Sequence, residues 1–407
     1  MSHMHPTPPL QLVRSITSLL SQTTKAQTTS PSRTLLRSRA TRTNISSRMS
    51  GPRSISEAVN PKSSTATQNG RFSLPAESAR HSHTLMAFPS MESAESTQHL
   101  EALQSEVTTI ANTISQFEPV HLYTKEDLIP QAESMVNAGV SVKPATVSEL
   151  WIRDSGPVFV QDLSTGKRTA IKFNFNYWGG KLPSIGDENI AVQVAAHANE
   201  PLVSSKLTME GGGIEHDGEG TFLATESCII NNNRNPGFSK SDVEAELRDL
   251  LGVTHFIWIP GVKGFDITDY HIDALARFTS PGVVLLSKPG PNAHPIAVDV
   301  YNSALSILRA AKDAKGRALT VHDCEEPDIT QLGPPDQHNE VIGSYANYLL
   351  VNGGVVMPKF GQERQDTAAL ELFRSLFPHR KVVQVPINIL PRTGGGIHCA
   401  TQHVPEI

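Results

Sequence analysis

The chain has 407 residues, of which 38% are hydrophobic and 18% are charged. This length allows one large domain or two ordinary ones, with a core that needs no disulfide or metal support. Three scattered cysteines cannot form a disulfide framework, which is typical of a reducing compartment. No apolar run approaches the roughly 20 residues that span a bilayer, so we expect no membrane partner.

The charge is distributed unevenly. Residues 1–56 contain no Asp or Glu but eight Lys and Arg, and removing those eight from the net charge of -5 leaves about -13 for the rest. An acidic body argues against nucleic-acid binding and suits a small cationic substrate. The basic, hydroxyl-rich start is typical of a mitochondrial transit peptide, with a disordered tail as the alternative.

A start at Met49 would remove most of this basic segment, so the location predicted is cytoplasmic or mitochondrial. The Ser/Thr/Asn-rich stretch before Phe72 favours the onset of order there. We therefore predict a disordered basic segment over residues 1–71 and one folded domain over residues 72–407.

Helices and strands alternate along this domain. A stripe of apolar residues at helical spacing predicts a helix over 96–117, and other periodic or capped segments predict helices over 125–139, 187–199, 239–252, 295–316 and 365–377. Gly139 is the expected end of the second helix, and Ser241 with Glu244 is the expected capping box of the fourth. Runs of β-forming residues predict strands at 119–123, 140–145, 168–176, 255–260, 282–287, 345–360 (a pair) and 381–387.

Four polar segments are unusual for ordinary loops: residues 151–160 (WIRDSGPVFV), 209–220 (MEGGGIEHDGEG), 266–278 (DITDYHIDALARF) and 394–402 (GGGIHCATQ). His271 and Asp273 share a face only if the backbone is extended. If they act together, any helix must begin after them. The alternative is a histidine at a helix N-terminus beside an acidic capping residue.

Asp154 and Glu210 each allow two interpretations. Asp154 is either a turn residue that accepts backbone N–H bonds or a carboxylate held at a strand end for chemistry. Glu210 offers the same choice, since the three glycines after it could serve only backbone conformations that a side chain forbids. No G-x-G-x-x-G follows a strand, which argues against a dinucleotide site.

Cys399 follows three glycines and a histidine near the C-terminus. A cysteine beside a histidine, with other histidines and carboxylates elsewhere, is a candidate nucleophile. A zinc site is the competing interpretation, although none of the usual ligand spacings occurs; its candidate ligands are His322, Cys324, His398, Cys399 and His403. A buried, inert thiol is the third.

Together these segments resemble the branch of the guanidine-modifying enzymes that holds agmatine deiminase and the Porphyromonas-type peptidylarginine deiminase. The resemblance extends from about Phe72 to the C-terminus and rests on five blocks in order: LWIRDSGPVFV, FNFNYWGGK, EGGGIEHDGEGTFLATESCIINNNRNP, TDYHIDALARF and GGGIHCATQHVP. It implies a single α/β catalytic domain of the pentein class, in which ββαβ-like units surround a pseudo-five-fold axis and the site lies in a central channel. A homodimer is left open.

Carried over by position, the resemblance implies that Cys399 is the nucleophile and His271 the general acid/base. It implies that Asp154 and Asp273 are the two carboxylates that bind the guanidinium. Further candidates for substrate contact surround them: Trp151, Arg153, Trp178, Glu210, Ile267 and Tyr270. Neither a metal nor an organic cofactor is required, so the expected partner is a small guanidino cation.

This set suits the chemistry of deimination. A guanidinium is planar, cationic and matched bidentately by carboxylates. A thiolate could attack its central carbon, the histidine could protonate the departing ammonia, and the same histidine could then activate water against a covalent amidino-thioether. Agmatine, converted to N-carbamoylputrescine and ammonia, is the preferred substrate.

Two residues depart from the family pattern. Ile267 stands where agmatine deiminases usually have an acidic residue, and Tyr270 stands where they have glycine. Deimination of peptidyl or free arginine is therefore the alternative within the class. A metal-dependent hydrolase and a catalytically inactive binding protein are the alternatives outside it, and the presence of all four implied residues argues against the latter.

Overall fold

The computed structural model describes residues 70–334 and 341–407, so nearly all of the predicted basic segment (1–71) lies outside the described residues. The described strands are β1 (Phe72–Ser73), β2 (His81–Ala87), β3 (Val120–Thr124), β4 (Val140–Pro144), β5 (Val158–Asp162), β6 (Arg168–Lys172), β7 (Leu202–Ser204), β8 (Glu215–His216), β9 (Thr221–Thr225), β10 (His255–Ile259), β11 (Ala276–Ser280), β12 (Val283–Lys288), β13 (Thr320–Glu325), β14 (Leu349–Val351), β15 (Gly354–Lys359), β16 (Lys381–Pro386) and β17 (Thr401–Pro405).

The described α-helices are α1 (Thr97–Ile114), α2 (Ile129–Met135), α3 (Ile152–Ser155), α4 (Tyr177–Gly180), α5 (Ile190–Ala198), α6 (Glu226–Ile229), α7 (Lys240–Leu251), α8 (Pro295–Ala310) and α9 (Glu363–Leu376). Short 3-10 turns lie at Met91–Ser93, Glu126–Leu128, Asp187–Asn189, Gly211–Gly213, Ile272–Ala274 and Ile329–Gln331. None of the helices in these two ranges is long and apolar enough to cross a membrane.

Five small sheets repeat one pattern. In each, a middle strand pairs antiparallel with the strand before it in the unit and parallel with the strand after it. A helix connects the middle strand to its parallel partner, because a parallel pair needs a long crossover. The five units are β17-β2-α1-β3, β5-β6-α5-β7, β8-β9-α7-β10, β11-β12-α8-β13 and β14-β15-α9-β16. The predicted α/β fold of ββαβ-like units is confirmed.

The first unit is assembled from both ends of the described chain. β17 pairs antiparallel with β2, so that Gln402 lies opposite Leu85 and His403 opposite Thr84. β2 then pairs in parallel with β3. Cys399 is consequently fixed two residues before a strand whose partner lies more than 300 residues earlier in the chain.

The helices pack on the sheets through the apolar stripes that their sequences carry. In α1, Leu103, Val107, Ile110, Ala111 and Ile114 are all buried, as the spacing predicted. Burying each large aliphatic side chain stabilises the fold by about 1.5–3 kcal/mol. This apolar packing holds the ends of the central strands in place around the polar site.

Several predicted helix boundaries are wrong. The helix predicted over 295–316 ends at Ala310. The capping box of α7 is Ser239 with Asp242, not Ser241 with Glu244, because the helix begins at Lys240. The second helix ends at Met135, where the backbone becomes extended at Val136, instead of reaching a cap at Gly139. The sequence did not predict nine of the described strands: β1, β2, β5, β7, β8, β9, β11, β13 and β17. Of these, β1 and β8 have only two residues each, too few for alternation to be visible.

Candidate active site

The polar segments of the sequence occupy equivalent places in the fold. Each of the four contains or runs into the first strand of a unit, at β5, β8, β11 or β17, and Asn347 lies just before β14, the first strand of the remaining unit. These positions bring together residues that are far apart in sequence: Asp154, Glu210, His271, Asp273, Asn347 and Cys399. The four residues that the resemblance implied as catalytic therefore lie in one site.

Gly212 lies at the centre of the carboxylates. A Cβ atom added there would lie 2.6 Å from His271 Nδ1, 2.8 Å from Asp154 Oδ1 and 3.1 Å from Asp273 Oδ2. Its φ is not in the left-handed region, so the backbone conformation does not require glycine. Glycine is required here by the available space, because a side chain at position 212 would fill the site. The interpretation that these glycines serve only backbone conformation is therefore wrong for Gly212.

Asp154 lies in the single turn of α3 and is buried. The Gly212 N–H donates to its Oδ1 at 2.9 Å, and the Trp178 indole N–H donates to its Oδ2 at 2.9 Å. Burial and the nearby charge of Asp273 raise the pKa of Asp154 to about 6, although the neighbouring His271 opposes this. The carboxylate is oriented by neutral donors and remains costly to ionise.

Asp273 lies in the 3-10 turn after His271, whose own backbone is extended with φ -59 and ψ 146. The expectation that any helix begins after both residues is therefore wrong for Asp273. His398 Nδ1 lies 2.8 Å from Asp273 Oδ2, while Oδ1 is buried without a hydrogen-bond partner among the described residues. Burial alone would raise the pKa of Asp273, but His398 and the charge of His271 hold it below its usual range.

His271 is enclosed by carboxylates. Its Nε2 lies 3.2 Å from Glu210 Oε2 and its Nδ1 lies 3.7 Å from Asp154 Oδ1. Burial would lower the pKa of His271, but Asp154 and Glu210 more than offset it and raise the pKa to about 9. Arg234 Nε donates to the other oxygen of Glu210 at 2.6 Å, which fixes that carboxylate against the ring. The imidazole is therefore held as a cation at neutral pH.

Cys399 is half-buried, and its Sγ lies 3.5 Å from Asp273 Oδ2. The Asn347 side-chain amide donates to Sγ at 3.1 Å and accepts from the His398 backbone N–H at 2.9 Å. Gly396 allows this approach, because a Cβ atom there would lie 2.6 Å from Asn347 Oδ1. Burial and the carboxylates of Asp273 and Asp154 raise the pKa of Cys399 well above its usual value, so the free site contains a neutral thiol.

A buried ionic network lies behind this site. His398 Nε2 lies 2.9 Å from Glu77 Oε2, and the Arg277 guanidinium donates to the same oxygen at 2.8 Å. Arg277 also pairs with Glu215 and lies over the Tyr348 ring at 4.8 Å. Although burial would raise the pKa of Glu77, Arg277 and His398 hold it well below its usual range. The network connects Asp273 through His398 to Glu77 and Arg277.

Comparison with known proteins agrees with this arrangement. Residues 73–405 match the model of the Porphyromonas-type peptidyl-arginine deiminase family. The chain belongs to this family. It is a hydrolase that acts on carbon–nitrogen bonds of linear amidines.

The alignments with known relatives cover nearly the whole length of each relative. An agmatine deiminase of Stutzerimonas stutzeri is 34% identical over 365 residues, which cover 84% of this chain and 97% of the relative. One of Pseudomonas aeruginosa (strain LESB58) is 33% identical over 355 residues, with 82% and 95% covered. The solved agmatine deiminase of Enterococcus faecalis superposes with a TM-score of 0.75 at 28% identity, covering 83% of this chain and 96% of that one.

The other candidates for substrate contact are divided among three places in this deiminase-family chain. Tyr270 lines the cavity that contains Cys399, His271 and Asp273. Trp151, Trp178 and Ile267 line a separate pocket, although Trp178 also donates to Asp154. Arg153 is buried beside the network, where its Nε donates to the His398 carbonyl at 3.3 Å.

The proposed zinc ligands are not brought together. His398 directs both ring nitrogens at carboxylates, and Cys324 lies on β13 with its side chain in the apolar core. Over residues 70–334 and 341–407, no group of three or more His, Cys, Asp or Glu side chains is placed to hold a metal ion.

The sequence analysis missed Asn347 and Glu77 as functional residues. Asn347 lies in an apolar run (YANYLL) with no motif around it, and Glu77 is 321 residues from its partner His398. A signal existed for Asn347: it precedes β14, the first strand of the fifth unit, and this is the place from which every other unit contributes to the site. Recognising it requires the unit boundaries, which the sequence alone did not show.

Proposed function

We propose that this protein hydrolyses agmatine to N-carbamoylputrescine and ammonia through a covalent intermediate on Cys399. The observation that carries the proposal is the geometry of Asp273: one oxygen is 3.5 Å from Cys399 Sγ, and the other is buried without a partner among the described residues. A buried, unpaired carboxylate oxygen is costly unless a ligand completes it. A guanidinium N–H donor satisfies that need.

Binding itself prepares the nucleophile. Asp154 and Asp273 approach the same glycine from two sides, and a planar cation between them would receive hydrogen bonds in two directions. Its positive charge offsets the two carboxylates that keep Cys399 protonated in the free site. The thiol then loses its proton to solvent, and the thiolate lies beside the guanidinium carbon.

Thiolate attack forms an S–C bond and a neutral tetrahedral adduct. His271, held as a cation by Glu210 and Asp154, donates its proton to one amino group. The C–N bond breaks, ammonia leaves, and a cationic amidino-thioether remains on Cys399. His271 is now neutral and can act as a base.

Water completes the cycle. Neutral His271 takes a proton from a water molecule as its oxygen bonds to the carbon. The second tetrahedral adduct collapses to a C=O group and expels the thiolate, which regains a proton. The products are the ureido compound and ammonia, and the Asn347 amide at 3.1 Å stabilises the sulfur whenever it carries negative charge.

The experiment measures ammonia release from agmatine, free arginine and a blocked arginine peptide, with and without EDTA. We expect turnover of agmatine that EDTA does not change and that Cys399→Ala abolishes. Denaturing mass spectrometry of enzyme quenched during turnover should find an amidino adduct on the peptide that contains Cys399.

A matched control is Cys228→Ala, because Cys228 is a fully buried thiol outside this mechanism. Ammonia release by Cys399→Ala at the unsubstituted rate would disprove the mechanism. Preferred turnover of an arginine substrate would keep the mechanism but replace the substrate.

A further inference from the structure

Agmatine carries two cationic groups, and the catalytic carboxylates account for one of them. The cavity that contains Cys399, His271 and Asp273 is also lined by Glu326, which follows β13 in the fourth unit. No Lys or Arg among the described residues forms an ion pair with Glu326. Ser287 Oγ donates to its Oε1 at 2.6 Å. His271, which also lines the cavity, is paired with Asp154 and Glu210, so Glu326 has no ion-pair partner among the described residues.

Aromatic rings line the same part of the cavity. Phe265 and Tyr270 pack with ring centroids 5.4 Å apart, and Phe265 contacts His294 at 5.4 Å. All three line the cavity together with Glu326. Burial raises the pKa of Tyr270, and the nearby charge of Glu326 adds to this effect. A carboxylate beside aromatic faces is a favourable environment for an organic ammonium group.

The backbone of Tyr270 adds an independent observation. Its φ is +77, in the left-handed region where a bulky residue is strained. Such strain costs on the order of 1–3 kcal/mol, persists only where the surrounding structure enforces it, and clusters at active sites and ligand-binding positions. Glycine would adopt this conformation freely, so the position retains an aromatic ring at a cost in stability.

We propose that Glu326, with the rings of Tyr270 and Phe265, forms a second cation site that binds the free ammonium of an aminoalkylguanidine while Asp154 and Asp273 hold its guanidinium. This inference rests on the proposed function and specifies its substrate class. It also explains how the chain can bind a diamine-like substrate although Ile267 is apolar: Ile267 lines the other pocket, with Trp151 and Trp178.

Burial raises the pKa of Glu326 to about 7. An arriving ammonium favours the ionised carboxylate, because the opposite charge offsets the desolvation that burial causes. The α-carboxylate of free arginine would instead be repelled by it. The site therefore selects for a guanidine with a distal cation and against one with a distal anion.

The test compares agmatine with butylguanidine, which has the same four-carbon chain without the ammonium. We expect Glu326→Gln to reduce kcat/KM for agmatine by roughly 10- to 100-fold, mainly through KM, which corresponds to losing a hydrogen bond between charged groups. Turnover of butylguanidine should not fall, which shows that the variant is folded and competent.

The matched control is Glu325→Gln, the same change one residue earlier. Glu325 pairs with Arg364 on the surface and does not line the cavity, so both substrates should retain their kinetics. Tyr270→Gly should relieve the backbone strain yet reduce the preference for agmatine over butylguanidine.

The outcomes distinguish this inference from the proposed function. Equal losses for both substrates in Glu326→Gln, or no loss for either, overturn the second cation site. Glu149 lines the other pocket, with Trp151 and Ile267. If Glu149→Gln, and not Glu326→Gln, loses the preference for agmatine over butylguanidine, the ammonium binds in that pocket and the second cation site at Glu326 is overturned. If the unsubstituted enzyme turns over no guanidine at all, the proposed function itself fails.

Discussion

Asp154 and Asp273 are chemically identical, approach the same glycine and take the same role in the proposed mechanism, yet their surroundings differ. Asp154 is held by a backbone N–H and an indole N–H, both neutral, and its pKa is raised to about 6. Asp273 is held by His398, behind which lie Glu77 and Arg277, and its pKa is lowered. The comparison teaches that two carboxylates that approach the same glycine can have pKa values shifted in opposite directions.

This difference in pKa gives the two aspartates separate roles in the proposed mechanism. Asp273 stays ionised across the ordinary pH range because a histidine and buried arginine charge favour its anion. The pKa of Asp154 is raised to about 6, so in the proposed mechanism its ionisation determines when the site accepts a cation. Both aspartates are buried, which strengthens each interaction relative to water.

Substitution of Asp273 should have the largest effect. Asp273→Asn leaves one hydrogen bond to His398 but removes the charge that faces both the thiol and the unpaired side of the site. We expect kcat/KM for agmatine to fall about 1,000-fold, since truncating a buried charge pair costs about 2–5 kcal/mol. Steady-state ammonia release measures this change in kcat/KM. A smaller decrease for Asp273→Asn than for Asp154→Asn would reverse the comparison.

Substitution of Asp154 should have a smaller effect with a distinct pH signature. A carboxyl with a raised pKa is protonated as the pH falls below about 6, so kcat/KM of the unsubstituted enzyme should decline there, and it should decline again above about 9 as His271 loses its proton. Asp154→Asn should reduce kcat/KM about 100-fold, in line with the loss of a charged hydrogen bond.

In that variant, the acidic limb near pH 6 should disappear. A pH profile of kcat/KM measures both limbs. An acidic limb that survives in Asp154→Asn would mean that another group titrates there.

The smallest effect is expected at Trp178. Trp178→Phe removes the indole N–H that donates to Asp154 Oδ2, a bond that favours the ionised carboxylate. We expect about a tenfold loss of kcat/KM at pH 7 and an acidic limb shifted to higher pH. Trp258→Phe is the control, since Trp258 donates to Glu244 away from the site. Equal pH profiles for both variants would remove Trp178 from this role.

The sequence predicted the residues of the proposed catalytic set more fully than the residues that support them. Cys399, His271, Asp273 and Asp154 lie in short blocks whose spacing resembles a known family, and the structure brings all four together. Their roles remain predictions until tested. The apolar stripe of α1 was also predicted from the sequence, because helical periodicity extends over many residues.

No local sequence pattern marks the residues that support the candidate site. Glu77 is 321 residues from its partner His398 in the sequence. Glu326 lines the cavity only because the fold of the fourth unit brings it there. Tyr270 was visible as a departure from the family, but its left-handed backbone was not. Long-range ion pairs and single backbone conformations depend on tertiary structure, which periodicity and spacing do not encode. The arrangement of the five units around a common axis likewise stays a prediction of the resemblance.

The pairing of β17 with β2 has a consequence for biosynthesis. β17 is translated after every other described strand, and Cys399 is translated only just before it. While these residues are still inside the ribosome, the first unit lacks one edge of its sheet and the site lacks its thiol. A nascent chain that has not yet released these residues therefore cannot carry out the proposed chemistry, and the pairing of β17 with β2 completes both the first unit and the candidate site.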